Sequence, residues 1–174
     1  MRGAQAFVRF VSTLSRWAGR CAAALVLVLI VLMNYEVLAR YLFAAPTRWS
    51  YEVSTMVMGA SFVLAIGYAV ATDSHVRVDL LAASLGGRGR AIVDLAGYGL
   101  VLLPLLAWLT WALWHYFHGA WASGETSGQS AWNPPVRPFR LVLFAGVLVW
   151  MLQIAAEIVR AALELGGRQT EVRP

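Results

Sequence analysis

Four long apolar stretches, at 22–43, 51–71, 95–117 and 141–156, take up most of the 174 residues and are separated by short polar turns. A bilayer core needs about 20 apolar residues per helix. A water-soluble domain of this size has no interior that could hide four such segments. Apolar residues make up 60% of the chain and charged residues 13%, against about 25% charged in an average soluble domain. The expected fold class is therefore an all-α membrane protein. It is one domain over 1–174, with transmembrane helices at about 18–43, 50–72, 92–117 and 138–163.

All fourteen basic residues are Arg, and the formal net charge is +5. They are spread over termini and turns and do not gather on one face, so they read as topology determinants and not as a nucleic-acid surface. Arg2, Arg9, Arg16, Arg20, Arg77, Arg88, Arg90, Arg160, Arg168 and Arg173 fall on one side, ten in all, and Arg40, Arg48, Arg137 and Arg140 on the other. The excess predicts that both termini and the turn at 73–93 are cytoplasmic. Cys21 is the only cysteine, which excludes an intramolecular disulfide. The basic segment before it resembles a signal sequence, but Asn34-Tyr35-Glu36 follows in place of a cleavage site, so an uncleaved anchor is expected.

Polar residues in the spans are few and placed near the ends. Asn34, Glu36 and Arg40 close the first span, and the four-residue spacing of Glu36 and Arg40 puts them on one helix face, able to pair. Pro46 and Trp49 occupy the following turn; Ser50 is the expected N-cap of the second helix, with Glu52 in its first turn. Gly59 and Gly67 are eight apart, which predicts a close helix–helix contact. Pro104 predicts a kink in the third helix. Gly119, Gly124, Gly128, Pro134 and Pro135 predict an irregular outer loop from 118 to 137. A short, weakly amphipathic cytoplasmic segment is expected between the second and third helices, and a polar tail after 165.

Chemistry is scarce. His75 is expected on the opposite side from His115 and His118, and no carboxylate or Cys accompanies that pair, so they read as interfacial histidines. No haem-binding arrangement or phosphate loop is present, and no cofactor is expected. Ser61, Thr110 and Gln153 are the most central polar side chains. Glu36 is the one acid in the first span that could carry a proton, which keeps open a small autonomous oligomeric proton-coupled transporter or channel. Its neighbour Arg40 favours a structural ion pair instead. By elimination the residues suit an accessory membrane role without chemistry of its own.

Three segments resemble a known family. Asn34-Tyr35-Glu36-Val37-Leu38-Ala39-Arg40-Tyr41-Leu42-Phe43, with Pro46, Trp49 and Glu52, is similar to the pattern of the small membrane subunit, the DctQ-like or Q component, of tripartite ATP-independent periplasmic (TRAP) transporters. His75-Val76-Arg77-Val78-Asp79 resembles a second motif of that family, and Gly124-Glu125-Thr126-Ser127 with Trp132 and Pro134 a third. The resemblance spans the four helices.

It implies a non-catalytic inner-membrane subunit of a sodium-driven importer of an organic acid, a C4-dicarboxylate, a 2-oxo acid or another carboxylate. The implied partners are the large (M) permease subunit, whose scaffold it supports, and the periplasmic substrate-binding (P) protein, besides the lipid bilayer. Asn34, Glu36, Arg40, Trp49 and Glu52 then become candidates for a clamp of the first hairpin or for a partner interface. His75, Arg77 and Asp79 are candidates for ordering the cytoplasmic connector. Arg48, Glu125, Trp132, Arg137 and Arg140 are candidates for an outer docking surface.

Overall fold

The computed structural model describes residues 2–72 and 95–165. Helix α1 covers Arg2–Leu42, α2 covers Ser50–Ala71, and a π-helical segment, Gly97–Leu102, leads into α3, Leu103–Ser123. Helix α4 covers Arg137–Leu165. All four are long and apolar enough to cross a membrane. The connector with His75, Arg77 and Asp79, its amphipathic segment and the tail from 166 lie outside the described residues.

Helix α1 begins far earlier than the expected start near 18. Its 41 residues extend for about 60 Å at 1.5 Å per residue, twice the bilayer core. No proline interrupts 2–42, and the first turns have something to pack on. Val8, Val11, Ser12, Ser15 and Ala22 are buried along one helix face, with Val8 and Val11 clustering against Ala156, Leu152 and Val159 of α4. The opposite face exposes Phe10 and Trp17 between the arginines, the composition of an interfacial helix face. The chain then turns through Ala44, in the left-handed region at φ 49°, where the Ala45 amide donates to the Ala39 carbonyl at 3.0 Å.

Helix α4 is the hub. It packs on α1, α2 and α3, while α1 packs chiefly on α2, and α3 makes its extensive helix contacts with α4. Lipid tails are as apolar as the helices, so close approach of backbones and not burial of oil holds such a bundle. Gly59 and Gly67 of α2 do face α4: a Cβ on Gly59 would lie 3.1 Å from Phe139 Cζ, and one on Gly67 3.3 Å from Val149 Cγ1. Gly146 of α4 is tighter than either, since a Cβ there would come within 2.6 Å of Val63 Cγ1 and 3.2 Å of the Val63 backbone. Gly19 likewise admits Tyr68 of α2 against α1. Large side chains such as Leu27, Val31, Phe62 and Trp108 point outward, as lipid-facing positions should.

Three local expectations change. Ser50 is the first residue of α2 and not its cap; Trp49 holds the cap position in a helical conformation with no side-chain cap bond. The irregularity expected at Pro104 lies just before it, in the π-helical turns, where the Leu103 amide reaches back to the Tyr98 carbonyl. A widened turn relieves the clash of the proline ring with the carbonyl four residues earlier. Helix α3 also continues past 117 to Ser123 and stops at Gly124 with φ 67°. Gly119 is thus helical, a cost of about 1 kcal/mol, while Ala120 beside it is fully buried. The irregular loop expected from 118 to 137 shrinks to 124–136.

Candidate functional site

Polar side chains collect at the two ends of the bundle, in three groups. The first closes the α1–α2 hairpin. Arg40 donates from Nε and Nη2 to Glu36 Oε1 at 3.2 and 2.7 Å. Glu36 Oε2 accepts from the Thr47 amide at 3.2 Å and from the Thr47 hydroxyl. Glu36 therefore ties the last turns of α1 to the turn beyond it, which one i,i+4 pair alone would not do. Trp49 stacks on Tyr35, ring centroids 6.0 Å apart, a second fastener across the same turn. Asn34 takes no part: its amide donates to the Ile30 carbonyl of its own helix at 2.7 Å. Arg48 is exposed.

Glu52 was expected beside that group and lies elsewhere. It belongs to a second group, built from the start of α2, the 124–136 loop and the start of α4. Tyr51 is 73% exposed whereas Glu52 is 2% exposed, because successive helical residues are turned by about 100°. Glu52 Oε2 accepts from the Ser127 hydroxyl at 2.7 Å. The loop carrying Ser127 is closed by its own backbone: the Ser127 amide donates to the Pro134 carbonyl at 3.0 Å, and the Val136 amide to the Glu125 carbonyl at 3.3 Å. Asn133 and Gly128, both with positive φ, complete it through a 2.7 Å bond from the Gly128 amide to Asn133 Oδ1.

Arg140 corrects the expectation of an outward docking charge. It is 5% exposed. It donates to both carboxylate oxygens of Glu125, through Nη1 at 2.8 Å and through Nη2, and to the Tyr116 carbonyl at 3.2 Å. Its guanidinium also lies 3.5 Å from the Tyr116 ring centroid. A guanidinium taken out of water needs a partner of this kind, and the loop brings Glu125 to it. Arg137 is half-buried, 5.7 Å from the Trp121 ring centre. Glu125 and Trp132 remain about half exposed, with the Glu125 side chain at 45%.

The third group is at the opposite end and was not foreseen. Ser15 Oγ donates to Gln153 Oε1 at 2.9 Å, Gln153 Nε2 donates to Glu157 Oε1 at 2.9 Å, and Arg160 donates to Glu157 Oε2 at 3.1 Å. Ser15 and Gln153 are fully buried. This chain joins the beginning of α1 to the end of α4, so both described ends lie on one side of the bundle. Ser12, Ser15 and Gly19, three and four residues apart among the arginines, were the available sign of a packed face.

Between the two ends, Thr110 donates to the Leu106 carbonyl of its own helix at 2.7 Å and reaches Met151 Sδ of α4 at 3.7 Å, and Ser61 donates to the Met58 carbonyl at 2.8 Å. His115 and His118 lie against Trp111 and Trp114, at 4.4 and 4.8 Å between ring centres. Among the described residues no group of three His, Cys, Asp or Glu side chains could hold a metal ion. Among the described residues these bonds fasten helices and loops together.

Residues 27–164 match the family model of the tripartite ATP-independent periplasmic transporters, DctQ component. The chain belongs to the DctQ family. No curated protein and no solved structure matches it. As a DctQ component it is a small subunit of a TRAP transporter. The matched region takes in the Glu36 and Glu52–Arg140 groups, while residues 1–26, which carry Ser12, Ser15 and Gly19, lie outside it.

Proposed function

We propose that this DctQ chain is a non-catalytic inner-membrane subunit of a sodium-driven importer of an organic acid, and that it braces the fixed part of the large permease subunit. The observation that carries the reading is the family match over 27–164 together with the absence of charge in the helix middles: 21–35, 53–71, 95–123 and 141–156 contain no Asp, Glu, Lys or Arg. A protein that moves ions or carboxylates needs polar groups near the midplane. Here they are spent on closing the ends. Glu36, with four hydrogen bonds to Arg40 and Thr47, suits a fastener better than a proton relay.

The Arg excess on the side of Ser15 and Arg160 supports a cytoplasmic location for both termini. The 124–136 loop then faces the periplasm, where Trp132, Arg48 and the exposed edge of Glu125 are within reach of a soluble binding protein. Copurification tests the assembly. When the chain is tagged and co-expressed with a large permease subunit, the two should elute as one complex in mild detergent. A chain that elutes free of the permease contradicts the proposal.

A further inference from the structure

A cavity of ≈ 250 Å³ opens between α2, α3, α4 and the 124–136 loop, and its charged lining consists of Glu52, Glu125 and Arg140. Arg140 is engaged by Glu125 through both carboxylate oxygens, which leaves Glu52 as the acidic side chain of the lining without a basic partner. Glu52 is 2% exposed, and its Oε1 has no hydrogen-bond partner although Oε2 accepts from Ser127. Among the described residues no cation pairs with it. A buried carboxylate oxygen left without a donor is costly, and the loop that encloses it is held in shape by five hydrogen bonds of its own.

We propose that this cavity is a socket for a hydrogen-bond-donating cation, the ammonium or guanidinium of a basic side chain on a partner protein of the assembled transporter. A donor fits better than a bare metal ion. The lining offers one free carboxylate oxygen, whereas hard cations take six or more oxygen ligands; a Lys or Arg head group needs only one or two acceptors and forms a charge-assisted bond. The volume accommodates such a head group with accompanying water. The inference rests on the subunit reading above for the source of the cation, and on Glu52 alone for its chemistry.

The test uses thermal unfolding of the full chain in detergent at fixed ionic strength. Methylammonium chloride should raise the midpoint by about 2–4 °C. Tetramethylammonium chloride, which has no N–H, and sodium chloride should not, and Glu52→Gln should abolish the rise. Since the comparison of salts is made on the unmodified chain, it holds even if the variant folds poorly. In the complex with the large subunit and binding protein the socket is occupied, so the methylammonium response should disappear, and Glu52→Gln should lower the yield of complex at least tenfold. Equal shifts with all three salts, an unchanged shift in Glu52→Gln, or an undiminished shift in the complex overturns the proposal. Failure of the subunits to copurify is a separate result: it contradicts the subunit reading and leaves the salt comparison on the isolated chain intact.

Discussion

At the scale of the residue, burial decides which half of an ion pair matters more. Arg140 is enclosed and Glu125 half exposed, so the two are not equivalent. Glu125→Ala leaves a guanidinium in the interior with the Tyr116 carbonyl and ring as its remaining partners, and should cost about 3 kcal/mol. Arg140→Met keeps most of the volume and leaves a carboxylate that can turn to water, and should cost about 1 kcal/mol or less. Thermal unfolding in detergent should therefore place Glu125→Ala well below Arg140→Met. Glu36 gives a second residue-scale expectation. Glu36→Gln retains acceptors for Thr47 and loses the charge facing Arg40, so it should weaken the hairpin and assembly with the permease while substrate flux per assembled complex stays unchanged. Sequence spacing made the Glu36–Arg40 pair legible, because two residues on one helix predict their own contact. Spacing could not show that Thr47 would complete it or that Glu125 would reach Arg140. Those contacts depend on how a turn and a loop close.

Elements were legible where apolar length sets them and obscure where packing does. The four spans follow from 20-residue apolar runs. The start of α1 at Arg2 does not, because its first turns are polar enough to pass for a basic flank until Ser15 meets Gln153. Likewise Gly119 reads as a breaker in isolation, yet the helix continues because Ala120 is packed and Gly119 itself faces open space. Two substitutions separate these cases. Gly146→Val must push Val63 and the α2 backbone away and should cost about 1–3 kcal/mol as overpacking does. Gly119→Ala meets nothing within 4 Å and should leave stability unchanged or raise it by up to about 1 kcal/mol. Removal of residues 2–18 should destabilise α4 against α1, read as faster hydrogen exchange at Leu152–Arg160, since Gln153 loses Ser15 and Ala156 loses Val8 and Val11.

At the scale of the molecule, the DctQ chain is a bundle of four long helices in which, among the described residues, the side-chain polar networks gather at the two ends. Helix α4 holds the other three together, and close glycine contacts fix α1, α2 and α4 against one another. On the proposed reading such a unit is a brace, and solute moves through another polypeptide. The most direct test is flux in liposomes. The purified chain, reconstituted alone with an inward sodium or proton gradient and a labelled dicarboxylate or 2-oxo acid outside, should give no uptake above empty vesicles. Addition of the large subunit and the substrate-loaded binding protein should give gradient-dependent uptake. Gradient-driven uptake by this chain alone would contradict the proposed role.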